Sequence, residues 1–276
     1  MVRRSAGRRS SPARQIISGT QDPLAAAVEL HQSGRLKEAE QAYRGALRDN
    51  PRNPDALHLL GLLAHQEGDN QAGAGLIRRA LAGLRRFCQD STIYFGADPA
   101  GFVSATMAGG FNCSLMYQIA EELKAAPPSV LGRHHLSNMW SCRHRAAGGG
   151  VLAHTDMAAV TFNFWIGPDA VNLDLRSGGR VVYAQEEPLE WDWMQINRQK
   201  SRPEVQAQIE AFLEGAPEIV IPYRCNRAVM FHSNLFHRSD RFAFADDFES
   251  RRVNISLLFG RRRRDVGSEA PAPGST

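Results

Sequence analysis

Apolar positions follow two different periods along this chain. From residue 23 to about residue 84, Ala, Leu and Tyr recur every three or four residues, the spacing of a helix with one buried face. From about residue 136 onward the segments are short and rich in β-branched and aromatic residues: SNMWSCRH, GVLAHTD, AVTFNFWI, GRVVY, EIVIPY, RAVMFHS and RVNISLLF. Gly, Pro, Asn and Asp separate most of them, the pattern of an all-β barrel or jelly roll. Between the two regimes lie an aromatic stretch at 91–103 and a helix, SLMYQIAEELKAA, stopped by Pro127 and Pro128. SGGR at 177–180 predicts a tight turn into a strand. A longer insertion, residues 184–218, holds Trp191, Trp193 and the helical stretch PEVQAQIEAFLEG.

The helical part repeats itself. Ala27, Leu30, Gly34, Ala39, Tyr43 and Ala46 are followed, each 34 residues later, by Gly61, Ala64, Gly68, Gly73, Ile77 and Ala80. Small residues at fixed places let two antiparallel helices approach, and larger ones fill the gap. GRLKEAEQAYRGALRDNP and ALHLLGLLAHQEGDNQAGAGLIRRAL resemble the tetratricopeptide repeat family. Two repeats are fewer than the roughly three a free-standing solenoid needs. The helices are therefore expected to pack on the domain that follows or to pair with another subunit. A concave helical surface of this kind either docks a peptide or partner or serves as structural support.

Length and composition set the bounds. The 276 residues, 43% hydrophobic and 22% charged, suffice for one large and one small domain. The net charge of +4 suggests nucleic acid until the arginines are located: MVRRSAGRRSSPAR and RRRRDVGSEAPAPGST carry much of the excess. Solvated tails are the preferred reading over nucleic-acid arms. Cys88, Cys113, Cys142 and Cys225 are scattered without a CxxC pair, which speaks against a zinc ribbon or disulfide framework and suits a reducing compartment. No apolar run approaches the roughly 18 residues of a membrane span. The Arg- and Ser-rich start lacks the apolar segment of a secretory signal but leaves a mitochondrial transit peptide open; cytoplasm is the expected location. The expected partition is a disordered basic tail at 1–19, helical repeats at 20–88, a β-rich domain at 89–260 and a disordered tail at 261–276.

The candidate chemistry begins at His154-Thr-Asp156. On an extended strand, residues i and i+2 share a face about 6.6 Å apart along the axis, so an imidazole and a carboxylate there can hold adjacent positions on one metal ion. Two histidines and one carboxylate with open positions typify non-haem Fe(II) oxygenases. In NRAVMFHSNLFHRSDRF, His237 follows a strand and a short turn, where a third ligand can fold back; His232, five residues earlier, competes with it. In ESRRVNISLLFG, Arg252, Asn254 and Ser256 share one strand face and Val253, Ile255, Leu257 and Phe259 the other. Arg251 is out of phase with Ser256. An arginine and a hydroxyl on one inward face suit a carboxylate.

HxD, a long gap, His, then Arg with Ser four residues on: that ordered set resembles the iron(II)- and 2-oxoglutarate-dependent oxygenase superfamily over roughly residues 92–260. The wider phrases FNFWIGPDAVNLDLRSGGRVVY and PYRCNRAVMFHSNLFHRSDRF resemble a prolyl-hydroxylase-like bacterial subgroup often joined to tetratricopeptide repeats. The resemblance implies an α+β chain in which the helical repeats precede a double-stranded β-helix. It implies His154, Asp156 and His237 as Fe(II) ligands, Arg252 paired with the distal carboxylate of 2-oxoglutarate, and Ser256 hydrogen-bonded to the same group. The implied reaction uses O2 to decarboxylate 2-oxoglutarate to succinate while hydroxylating a protein side chain or small molecule. A peptide docked on the repeats and a homo-oligomer are the partners it brings into view, with no membrane and no nucleic acid. One departure stands out. Many relatives carry a tyrosine on the strand before HxD, whereas WSCRHRAAGGG offers Cys142 or His144 there, with Tyr183 or Asn163 as substitutes. The alternative reading is a catalytically inactive oxygenase fold that works as a partner-binding module through its repeats.

Overall fold

A computed structural model describes residues 23–98 and 101–262, so the N-terminal tail and most of the C-terminal one lie outside the described residues. Four helices open the described chain: α1 (Pro23–Gln32), α2 (Leu36–Asp49), α3 (Pro54–Gln66) and α4 (Asn70–Asp90). The repeat in the sequence is a repeat in space. Ala27 and Ala39 are both fully buried where α1 meets α2. At the equivalent places in α3 and α4, a Cβ on Gly73 would stand 2.9 Å from the Gly61 carbonyl oxygen. Tyr43 fills the first pair and donates its hydroxyl to the Ala27 carbonyl at 3.2 Å. Gly34 and Gly68, 34 residues apart, turn each pair with φ of 79° and 89°, a left-handed backbone that glycine adopts without a Cβ penalty.

After two short strands, β1 (Gly96–Asp98) and β2 (Phe102–Thr106), come helices α5 (Ser114–Ala125) and α6 (Pro128–Leu131). Strands β3 (Leu136–His144), β4 (Ala147–Gly148), β5 (Val160–Trp165) and β6 (Arg180–Glu186) follow, then helices α7 (Trp193–Gln199) and α8 (Pro203–Leu213). The chain closes with β7 (Glu218–Ile221), β8 (Ala228–His232), β9 (Leu235–Ser239), β10 (Phe242–Ala243) and β11 (Val253–Phe259). The large sheet has the order β1-β2-β3-β11-β5-β8 and the smaller one β7-β6-β9, continued by the β10-β4 pair. From β3 to β11 the chain crosses back and forth between the two sheets, with β6 and β7 paired as neighbours in the smaller one, which is the winding of a double-stranded β-helix. No helix among the described residues is long and apolar enough to cross a membrane.

Strand β11 shows how the pattern builds the site. Val253, Ile255, Leu257 and Phe259 point outward into a core shared with Leu81, Leu84 and Cys88 of α4 and with Leu115, Met116 and Ala120 of α5. The alternate residues Asn254 and Ser256 face the other sheet. The repeats therefore cover the outer face of the large sheet, as the shortage of repeats led one to expect. His58 of α3 seals the junction with Glu122 of α5 at 2.7 Å.

Two expectations need correction. GVLAHTD is not a regular strand: the ladder of Ala147–Gly148 ends before it, and within it only a single bridge forms, from His154 to His237. Arg262 does not belong to a loose tail, because it is buried and its guanidinium bonds back into the domain.

Two glycines in α4 test the helix contact. Gly73→Ala gains helix propensity of up to about 1 kcal/mol, but its methyl would press on backbone, an overpacking cost of about 1–3 kcal/mol. Gly75 has nothing within 4 Å of an added Cβ. Urea denaturation should show Gly73→Ala destabilised and Gly75→Ala stabilised; equal effects would contradict the packing described.

Candidate metal centre

Gly148, Gly149 and Gly150 lead the chain from the β10-β4 pair to the flank of β9. A Cβ at Gly150, whose φ is 63°, would lie 2.8 Å from the Ser239 side chain, so this close approach requires glycine. Beyond it the chain runs beside β9. His154 N–H donates to the His237 carbonyl at 3.1 Å, and His237 N–H to the His154 carbonyl at 2.9 Å. A pair that exchanges both bonds sits directly opposite, with side chains on the same face. The two rings are 4.3 Å apart between centroids. Asp156 is fixed two residues on by its N–H to the Ser233 carbonyl at 2.8 Å.

The three predicted ligands therefore meet. One ligand atom from each of His154, Asp156 and His237 lies within 4.8 Å of the others, and all three residues are buried. His154 Nε2 is 3.7 Å from Asp156 Oδ1, and His237 Nε2 is 3.3 Å from Asp156 Oδ2. Each imidazole turns its Nδ1 to a carbonyl two residues back, Leu152 at 2.7 Å and Leu235 at 3.1 Å. A carbonyl only accepts, so Nδ1 carries the proton and Nε2 faces inward with its lone pair available to a metal. Asp156 Oδ2 accepts from the Thr161 hydroxyl at 2.7 Å. Burial opposes ionisation of Asp156, but His237, His154 and Thr161 outweigh it and hold the carboxyl below its usual range. Burial, reinforced by Lys200 and His237, pushes the His154 pKa well below that of a free histidine. Three lone-pair donors this close repel one another unless a cation lies between them. An imidazole and carboxylate set fits a divalent transition ion such as Fe(II). Cys142 is near, but burial raises its thiol to about 11, so no thiolate competes.

The centre opens into a cavity of about 870 Å3 between the sheets and α7, within the size range of small-ligand sites. Asn163, Arg180, Asn254 and Ser256 line it. In the β6–β9 register Val182 stands opposite His237 and Arg180 opposite Ser239, so Arg180 shares the inward face of the histidine pair. Its Nη2 donates to Asn163 Oδ1 at 2.5 Å, and the Ser256 hydroxyl donates to the same oxygen at 2.9 Å. Arg180 Nε and Asn163 Nδ2 are buried donors with no acceptor among the described residues.

Arg252 sits elsewhere than its sequence phase suggested. It is fully buried but off the cavity wall. Its Nε and Nη2 donate to the carbonyls of Gly178 and Gly179 at 2.6 and 2.9 Å, and its Nη1 to Asn254 Oδ1 at 3.0 Å. Burial, with Arg180 close by, lowers its pKa to about 9, leaving it a cation at neutral pH. It holds the turn that delivers Arg180. Asn163, one of the residues expected to replace the missing tyrosine, reaches the cavity; Tyr183 instead accepts from Arg238 Nε at 2.8 Å. His144 bonds Asn254 Oδ1 at 2.9 Å and lies outside the ligand set. His232 is exposed on β8 and lines a different cavity. Trp193 lines the site, whereas Trp191 packs with Phe212 and Phe236.

Sequence reasoning overlooked a clamp behind the HxD segment. Arg262 Nε donates to the Asp156 carbonyl at 2.7 Å and its Nη1 to Glu187 Oε2 at 2.9 Å, while the Thr155 hydroxyl reaches the same carboxylate oxygen at 2.8 Å. Asn197 of α7 donates to the Thr155 carbonyl at 2.8 Å. An arginine in a basic run gives no local signal of such a role. Groups that orient ligands are worth about 10–100-fold in metal affinity. Arg262→Ala should therefore weaken Ni(II) binding by that factor in a titration of the folded protein; unchanged affinity would remove the clamp from the site.

Comparisons with known proteins agree with part of this description. The TPR repeat family matches residues 29–68. No curated protein matches. Among solved structures, the non-heme alpha ketoglutarate dependent epimerase SnoN from nogalamycin biosynthesis is 14% identical, with 71% of this chain and 80% of that chain covered and a TM-score of 0.43. HygX from Streptomyces hygroscopicus, solved with nickel and 2-oxoglutarate, is 10% identical over 66% of this chain and 78% of its own, with a TM-score of 0.42. A Pseudomonas putida prolyl-4-hydroxylase is 14% identical over 67% and 86%, with a TM-score of 0.37. Residues 29–68 are thus a tetratricopeptide repeat segment, and the chain joins it to a double-stranded β-helix in which two histidines and an aspartate converge.

Proposed function

We propose that this protein is an Fe(II)- and 2-oxoglutarate-dependent dioxygenase. The observation that carries the reading is the buried His154–Asp156–His237 cluster, with both Nε2 atoms turned inward, opening beside unpaired buried donors. His154, Asp156 and His237 would hold the metal on one side and leave its other side to the cavity. Bound iron with 2-oxoglutarate and O2 supplies oxidative decarboxylation to succinate coupled to hydroxylation of a C–H bond. The chain's own part is to bind and orient. Arg180 Nε and Asn163 Nδ2 form a fork for the distal carboxylate, with the Ser256 hydroxyl holding Asn163 through its Oδ1, and a guanidinium suits a carboxylate better than an ammonium does. Arg252 supports that fork from behind by holding Gly178 and Gly179. Burial of Arg180, Asn163 and Ser256 strengthens each of these contacts.

With Fe(II), the purified protein should convert 2-oxoglutarate to succinate, and His154→Ala should abolish the conversion. Turnover that survives His154→Ala would remove the assignment. Losing a charge-assisted contact costs about 1.5–3 kcal/mol, so Arg180→Gln should raise the 2-oxoglutarate KM about 10–100-fold while metal binding persists. Arg252→Gln should instead lower Tm. If Arg180→Gln leaves the KM unchanged and a folded Arg252→Gln raises it, the carboxylate belongs to Arg252.

A further inference from the structure

The fork at Arg180 accounts for one end of the cavity and leaves its roof unexplained. Four cations line the cavity, Arg180, Arg198, Lys200 and Arg261, against the single carboxylate of Asp156. Lys200 stands out among them. It is half-buried and follows directly on α7, which is fixed over the HxD segment by the bond from Asn197 to the Thr155 carbonyl. Among the described residues no carboxylate lies within ion-pair distance of its ammonium. Asp156 and Asp98 are the acids whose charge it feels, and Asp156 already serves the metal centre. A half-buried ammonium without a partner disfavours the closed site unless an anion completes it. The same cavity has two half-buried indoles on its wall, Trp140 from β3 and Trp193 from α7, the latter stacked against the Arg262 guanidinium at 4.9 Å.

We infer that the substrate, as distinct from 2-oxoglutarate, is an acid whose carboxylate pairs with Lys200 while an apolar, planar body lies along the wall that carries Trp140 and Trp193. The inference rests on the dioxygenase reading, because it assigns Arg180 to the keto acid and so frees Lys200 for a second carboxylate. Both anions fit this field: a divalent ion, the buried Arg180 and the half-buried Lys200 face one Asp156, and 2-oxoglutarate neutralises only part of that excess. The roof is then a specificity element, selecting by charge at Lys200 and by shape at the two indoles.

The test compares 3-phenylpropanoate with 3-phenylpropanamide, two probes of nearly equal shape that differ in charge. Each is titrated calorimetrically into protein loaded with Ni(II) and 2-oxoglutarate. The acid should bind in the millimolar range and about tenfold or more tighter than the amide. Lys200→Gln should erase that preference with 2-oxoglutarate affinity unchanged, and Lys200→Arg should retain it. Equal binding of acid and amide, a preference that survives Lys200→Gln, or binding of neither up to about 10 mM would overturn the inference. So would a Lys200→Gln variant that keeps the preference but needs more 2-oxoglutarate, since the lysine would then belong to the co-substrate. Failure of the wild-type protein to bind 2-oxoglutarate in the first titration would instead count against the dioxygenase reading itself.

Discussion

Everything at this centre depends on one pair of backbone hydrogen bonds. His154 and His237 are 83 residues apart by their numbering, yet each donates its N–H to the other's carbonyl. That exchange fixes them face to face, and the side-chain bonds to Leu152 and Leu235 then settle which nitrogen points inward. A shift of one residue in β9 would turn His237 to the opposite face. The register is therefore as important to the site as the ligands, and Gly150 secures it by letting the chain lie against Ser239.

The rest of the molecule holds that register in place. One face of β11 lies under α4 and α5, so the repeat segment and the large sheet share a core instead of meeting at a loose linker. The other face presents Asn254 and Ser256 to the cavity. On the opposite sheet, Arg252 grips the Gly178–Gly179 turn, and Arg180 begins the next strand on the face of the histidines. Arg262 closes the far side by tying the Asp156 carbonyl to Glu187 and Thr155. Three buried arginines thus do different jobs: one supports a turn, one fixes a ligand segment, and one points unpaired donors at the cavity.

Much of this was legible in the sequence, for physical reasons that can be named. The 34-residue recurrence was readable because helix contacts demand small residues at Ala27, Ala39, Gly61 and Gly73. The two faces of β11 were readable because strands alternate. The His-x-Asp and His set followed from residue type and order, and the three side chains do meet. What escaped was set by tertiary contacts. The sequence pattern puts His154 and Asp156 on a regular strand, but only a single bridge forms there, so their spacing comes from the turn and not from a pleat. Arg252 has the right phase along β11, yet phase does not reveal that the Gly178 and Gly179 carbonyls lie across from it. Arg180 carried a weak signal, a charge at the head of the apolar run VVY. Arg262 carried none, lying in a basic run that reads as solvent-exposed.

On the function proposed above, this cluster binds a metal which in turn accepts 2-oxoglutarate. Anaerobic titration of the Fe(II)-loaded protein with 2-oxoglutarate, followed by visible absorption, tests it most directly. The account predicts a charge-transfer band that saturates at one equivalent of keto acid per chain and is lost in Asp156→Ala. Protein that remains folded and binds Fe(II) without developing that band, or that does not bind Fe(II), would contradict it.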